Sequence, residues 1–574
     1  MGGMSGLYVG LSGLQTSSNA LNTTANNLAN VNTDGYVRQQ VVNKDRTYND
    51  VSTSSKTTTG QYGLGVTVQT INHVRDIFLD SSYRRESGRN GFYEKMYDSV
   101  YEIETQMGNV DGIDGIAYQS SITDLVEALN EVAKVPGSQI ARASLVQSAS
   151  EFVSKSQAIY DGLQNYQVTL NTEITNTIDR INAIGDEIRS LNKSIAYIEA
   201  GQVEGANDLR DSRDLLLDEL STYCKISYNE DERGVVDVYI EGIHFCDEMG
   251  VNYMGKSVID NTEFVIPIWE NMNGEKVYTM AEEISTEHNT DVGSLKGLLV
   301  ARGDCTPTYS SLTEPNPADY PGGETGEGYL LALDEYERYQ NCYETSTLVN
   351  AMGNFDKLVN SIVEAVNDIL CPETTITAAD GTQYTVLDMS EASMTQDGNY
   401  GIELFTRQYC DRYTVQEIDG TEYYVRNNIN TFGNYAGYDI MSLEVNKEVL
   451  KDYSQIPLTK PNGEDDYEKA EKLVTVFSED LLRYNDSQDV MTFEEFYESI
   501  VNSVANDGYV YNNMAQNEET LAAQLDSQRQ AVMGVSSDEE LTNMIKYQQA
   551  YNAASRYINV VNEMIENLLY NLGA

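Results

Sequence analysis

Apolar residues fall in heptad register at both ends of the chain, and no proline interrupts either end. Leu7, Leu14, Leu21 and Leu28 recur every seven residues, with Leu11, Ser18 and Ala25 between them. Near the other end Met544, Tyr547, Tyr551, Ala554, Ile558, Val561, Ile565 and Leu568 are spaced alternately by three and four. Such spacing winds into a narrow apolar stripe on one face of an α-helix, the seam of a coiled coil. All nine prolines lie between Pro136 and Pro461. Proline removes a backbone donor and clashes with the preceding turn, so the long uninterrupted helices belong at the ends. The first should stop near Asn30, because Asn32-Thr33-Asp34-Gly35 is dense turn chemistry. Ser537-Asp538-Glu539-Glu540 predicts a capping box and an acidic first turn for the last. The small Ser18 and Ala25 predict where a partner helix comes close. A lone helix cannot bury such a stripe, and each well-buried Leu or Ile is worth about 1.5–3 kcal/mol. The economical outcome is that the two ends bury against each other and against neighbouring copies.

A third run lies between them. Leu170, Ile174, Thr177, Ile181, Ile184, Ile188, Leu191, Ile195 and Ile198 keep the same spacing until Gly201, and Leu163 and Tyr166 continue it upstream with one stutter. Shorter helices are expected at 208–220 and across 328–370. Residues 235–240 and 422–425, rich in Val and Tyr between turn residues, read as strands, and the proline-rich segment 303–328 reads as a loop or lid. The expected fold is mainly α with inserted β, in discontinuous domains. Residues 4–60 with 536–574 form a terminal pair of helices joined as a coiled coil. Residues 61–225 with 291–372 and 490–535 form a helical-bundle middle domain, and 226–290 with 373–489 a mostly β, variable outer domain.

Charge and composition narrow the function. With 90 Asp and Glu against 37 Lys and Arg, the net charge of −53 repels phosphate backbones and anionic lipid, so neither nucleic acid nor membrane is an expected partner. No apolar run approaches the roughly 18–20 residues of a membrane span, and the first residues lack the basic and apolar regions of a secretory signal. The six cysteines (Cys224, Cys246, Cys305, Cys342, Cys371 and Cys410) include no CxxC pair and are expected as free thiols. Of the three histidines only His244 has a thiol nearby, Cys246, and a metal or nucleophile site would need further ligands or an orienting group. Arg84, Arg85 and Arg89 read as a solvated face or local ion pairs. No metalloprotease, hydrolase or P-loop pattern is present, so no enzyme, cofactor or metal site is expected.

Residues 4–39, and most densely ANNLANVNTDGY at 25–36, resemble the N-terminal signature of the flagellar rod, hook and hook-associated proteins. Asp34 stands where that family usually has proline, and Asp-Gly makes an equally good turn. The segments ANDLRDSRD at 206–214, GSLKGLL at 293–299, MTFEEFY at 491–497 and YQQAYNAASR at 547–556 resemble the hook-associated branch. The resemblance implies a structural subunit whose paired terminal helices form the inner tube of an axial assembly. It implies export through the flagellar type III apparatus to the extracellular flagellum without a cleaved signal peptide. It further implies self-association, an export chaperone on the C-terminal helix, and contacts with hook protein and with hook-associated protein 3. The expected assembly interface is Leu7, Leu11, Leu14, Leu21, Leu28, Met544, Tyr547, Tyr551, Ile558, Val561, Ile565 and Leu568. Asn26, Asn27 and Asn30 join them, since uncharged amides let like subunits stack without repulsion; alternatively these residues simply cap turns. Two other readings stay open: a hook or distal rod protein, or a flagellum-borne extracellular enzyme or adhesin acting through the central domain.

Overall fold

The structure is a computed structural model that describes residues 2–51, 60–108, 118–201, 205–280, 282–431, 435–485 and 489–572. Helix α1 (Gly2–Ala29) leads into an antiparallel pair, β1 (Gln39–Asp45) with β4 (Val66–His73), and the short strands β2 (Asn49–Val51) and β3 (Gly60–Tyr62) pair beyond it. Four helices follow: α2 (Ile77–Gln106), α3 (Tyr118–Lys134), α4 (Gln139–Glu199) and α5 (Asn207–Tyr223). Helix α4 has 61 residues, about 90 Å of rod at 1.5 Å per residue. It begins well upstream of the heptad run because Ser138 accepts a hydrogen bond from the Ala141 N–H as its N-cap. Leu170, Ile174, Ile181, Ile184, Ile188 and Ile195 are buried along it, joined by Ile178, whereas Ile198 is 41% exposed.

Two three-stranded antiparallel sheets come next. One is β5 (Ile226–Glu230), β6 (Val236–Ile240) and β7 (Ile243–Cys246); the other is β8 (Met254–Val258), β9 (Val265–Trp269) and β10 (Glu275–Lys276). Both rest on the second half of α4, where asparagine amides satisfy strand backbone. Asn182 accepts from the Met254 N–H and donates to its carbonyl, both at 2.9 Å, and Asn192 holds Val236 in the same manner. Then α6 (Ser294–Arg302), α7 (Glu327–Cys342) and α8 (Thr347–Leu370) follow. The single helix expected over 328–370 is thus two. Ser346 ends the continuity, because its hydroxyl donates to the Ala301 carbonyl and accepts from the Val349 N–H, fixing a fresh N-cap.

A second β-rich stretch carries a four-stranded sheet, β11 (Glu373–Thr377), β12 (Gln383–Leu387), β14 (Tyr413–Ile418) and β15 (Thr421–Arg426), with β13 (Phe405–Arg407) pairing β16 (Leu443–Val445). Helices α9 (Lys447–Lys451) and α10 (Tyr467–Thr475) complete it. This stretch grips the first half of α4. The buried Arg142 donates to the carbonyls of Pro136, Ser454 and Ile456, and Gln157 to those of Ile440 and Leu443. The two β-rich stretches grouped together from sequence therefore sit at different places along one rod. Helix α11 (Phe493–Met533), opened by a Thr492–Glu495 capping box, returns along α2, and α12 (Ser537–Leu572) returns along α1. Among the described residues one continuous apolar core runs from Phe92 to Val504, and it draws on neither α1 nor α12.

Candidate assembly site

Four stretches far apart in sequence meet where the terminal helices join the body: the turn after α1, the start of α2, the 206–214 element, and the α11–α12 link. Gly35 takes φ +73°, and a Cβ there would sit 2.5 Å from Leu215 Cγ, so the Asp34–Gly35 turn presses its backbone onto α5. The 206–214 element is a network of ions and caps. Arg210 binds the Glu199 carboxylate with two nitrogens, at 2.8 and 2.7 Å, and the buried Arg213 donates to the Gly234 carbonyl. Asp214 pairs with Arg75, and Asp218 takes Arg84 at 2.6 Å and Arg529 of α11 at 2.8 Å. Asp211 accepts the Val37 N–H, and burial raises its carboxyl to about 7. His73 lies 3.6 Å away, lowered to about 4 by burial and by Arg75 and Arg210. Both shifts favour the uncharged forms, so this contact is a neutral pair.

A second network locks α12 to the turn. Asn27 is 1% exposed and fully used: its amide donates to the Gln39 carbonyl at 2.9 Å and to Glu540 at 3.2 Å, and accepts from Tyr36 Oη at 2.9 Å. Glu540, 2% exposed, also accepts from Arg38 Nε at 2.8 Å. One sequence expectation is corrected here. The α12 N-cap is Ser536, whose carbonyl takes the Glu540 N–H, and the Glu540 side chain turns away to Asn27 and Arg38 instead of closing a capping box. Asn27 spends its amide inside the chain, leaving no free edge for a neighbouring copy, and Asn30 bonds back to Asn26 and accepts from Thr33, as turn caps do.

Helices α1 and α12 run antiparallel, with Gly6 beside Val561, Gly10 beside Ile558, Gly13 beside Ala554 and Asn27 beside Glu540. A Cβ at Gly10 would meet Ile558 at 2.7 Å, so glycine sets the separation of the helices. Gly6, Gly10, Gly13, Ser17, Ala20, Thr24 and Asn27 repeat every four and three residues, one position ahead of the leucines. That small-residue stripe, not Ser18 and Ala25, makes the close approach. One residue is 100° of helix rotation, so the leucine stripe is turned out of the α1–α12 contact. Leu7, Leu14, Leu21 and Leu28 are half-buried and Leu11 is 47% exposed. On α12, Ala554, Ile558 and Val561 meet the α1 glycines; Met544, Tyr547 and Ile565 are half-buried, while Tyr551 and Leu568 (60%) are exposed. Leu541, Ile545, Val560, Met564, Leu569 and Tyr570 are also exposed on α12. The sequence signal for the glycine stripe was present, but leucines dominate any count of apolar periodicity.

Away from the joint, the His244–Cys246 pair does not form a site. Cys246 is buried in the core, where burial pushes its thiol up to about 12, while His244 lies on the exposed side of the sheet. Asp237, His244 and Asp247 bring ligand atoms within 4.8 Å of one another. Asp247 is already engaged in its own turn, accepting the Met249 and Gly250 N–H groups, and pairs with His244 at 3.7 Å. Of the two readings for the arginine cluster, local ion pairs hold for Arg84 and Arg89, which are buried against Asp218 and against Glu86 and Asp291, while Arg85 is exposed beside Glu86. Among the described residues no helix is long and apolar enough to cross a membrane.

Comparison with known proteins follows the same division of the chain. Residues 7–36 match the family described as flagella basal body rod protein, and 527–571 match the flagellar basal body rod FlgEFG protein C-terminal family. The terminal segments are thus similar to those of flagellar rod proteins. Residues 106–383 match the flagellar hook-associated protein FlgK helical domain. Flagellar hook-associated protein 1 of Bacillus subtilis is 24% identical over 96% of this chain and 94% of its own length. That of Salmonella typhimurium is 22% identical over 95% and 96%. The structure described as the flagellar hook junction protein FlgK from Burkholderia pseudomallei superposes with a TM-score of 0.52 at 12% identity, over 79% of this chain and 100% of that one, and shows the same fold. Along nearly its whole length the chain is similar to flagellar hook-associated protein 1, and its middle matches the helical domain described for that protein.

Proposed function

We propose that this chain is the hook–filament junction subunit, and that copies self-associate into a ring or tube through the α1–α12 pair. The observation that carries this is a surface one: the leucine stripe of α1 and the outer face of α12 leave Leu11, Ile545, Val560, Met564, Leu568 and Leu569 open to water. A pair so thin cannot cover both its faces, and neighbouring copies supply the missing cover. In this reading 4–60 with 536–574 line the inner tube as a coiled coil. Residues 61–225 with 291–372 and 490–535 form the middle layer, and 226–290 with 373–489 the variable outer parts. Hook protein lies on one side and hook-associated protein 3 on the other. The chain leaves the cell through the type III apparatus, with a chaperone holding α12 until assembly. The match over 106–383 favours this member over a hook or distal rod protein. Deleting 541–574 tests it. The truncated chain should stay soluble with its body folded, since no α12 residue enters the core, yet fail to join hook ends; normal incorporation would end the proposal.

A further inference from the structure

Cys305, just after α6, and Cys342, the last residue of α7, are both buried, and their sulfurs lie 3.9 Å apart. They sit in a small satellite cluster with Tyr339 and Val349, separate from the main core. The base of the excursion between them is already closed, because Ser346 holds the Ala301 carbonyl. The other thiols have different neighbours: Cys224 takes the Tyr278 hydroxyl at 3.3 Å, and Cys410 lies against backbone carbonyls. From this geometry we infer that Cys305 and Cys342 form a disulfide once the chain is outside the cell, clamping the α7 excursion onto the ends of α6 and α8.

The reaction is thiol–disulfide exchange with a low-molecular-weight disulfide, RSSR. One cysteine thiolate, having lost its proton, attacks RSSR to give a mixed disulfide and release one thiol. The second thiolate then displaces the other RS group, which leaves as a second thiol. Two cysteine thiols lose two electrons and two protons in total, and RSSR gains both. The Cys342 contact and burial hold the Cys305 thiol well above its usual range in the closed fold. Exchange therefore belongs to folding, before the cluster shuts, or to entry along the groove lined by Gln167, Cys305, Thr306, Glu335 and Arg338. Cross-linking a separation of 37 residues restricts the unfolded chain and so raises stability. A reducing cytoplasm keeps the pair open, which leaves the chain uncrosslinked until it reaches the flagellum.

The test uses the purified full chain, so its result does not depend on assembly. The chain is unfolded in urea and refolded in a mixture of oxidised and reduced glutathione; remaining thiols are alkylated, and unreduced digests are read by mass spectrometry. The expected result is one linked pair of peptides carrying Cys305 and Cys342, two hydrogens lighter than their sum, with the other four cysteines alkylated. The melting temperature should rise a few degrees over that of the reduced chain, and Cys305→Ala/Cys342→Ala should lose the difference. If that variant fails to fold, peptide mapping of the parent decides alone. Full alkylation of both cysteines, pairing of either with another cysteine, or an oxidised chain that melts no higher than the reduced one overturns the inference.

Discussion

The body and the terminal pair use helices in opposite ways. In the body, α4 buries its isoleucines on neighbouring elements, and Tyr118, Phe152, Phe355 and Tyr497 pack ring against ring at its centre. In the terminal pair, the stripe most crowded with leucine is the one that α12 leaves partly uncovered, while glycines make the contact. A helix face rich in small residues packs closely but buries little area, so the pair gains modest stability within one chain. The body is complete alone. The pair is built to be finished by others.

The largest expected effect falls on the body. Phe355→Ala should cost about 3–5 kcal/mol in urea unfolding, whereas Leu11→Ala should change the isolated chain by no more than about 0.5 kcal/mol and instead weaken self-association in sedimentation. Equal costs at the two sites would erase the contrast. A middling effect is expected where the pair touches. Gly10→Val places a methyl-bearing carbon against Ile558, an overpacking cost of about 1–3 kcal/mol confined to the ends. Amide hydrogen exchange should quicken along α12 with the body unchanged, and adding Ile558→Ala should restore part of the protection.

The smallest net effect in the parent chain is a pH dependence at the joint, where two opposite shifts largely cancel. His73, held near 4 in the fold against 6.5 ordinarily, gives stability that is full above pH 6.5 and is lost as pH falls toward 4. Asp211, raised from 3.8 to about 7, does the reverse: its contribution is full at low pH and is lost as pH rises through about 7. Over the shared window the two slopes oppose each other. His73→Asn should unmask Asp211, so that the variant loses stability relative to the parent as pH rises from about 4 to 6.5. A pH-independent difference between parent and variant would show that the pair is not neutral.

Much of this was legible in the chain itself. The proline-free ends announced α1 and α12, the 3-4 spacing on α12 included Ala554, Ile558 and Val561, which meet α1, and Leu170 through Ile195 announced the buried seam of α4. The turn at Asp34–Gly35 was equally plain. Less was visible where side-chain chemistry serves a distant partner. Glu540 looked like a helix cap because its local spacing suits one, yet Asn27 and Arg38, some five hundred residues earlier, compete for its carboxylate and win. The break at Ser346 was hidden because the apolar spacing runs straight across it.

What the sequence determined by itself is periodicity: which segments become helices, and that two of them carry stripes no single helix can satisfy. Tertiary structure decided which stripe goes where. Only with α12 in place does Gly10 meet Ile558 and the leucine stripe turn away, because close packing of backbones rewards the absence of side chains, and a hydrophobic count sees only their presence.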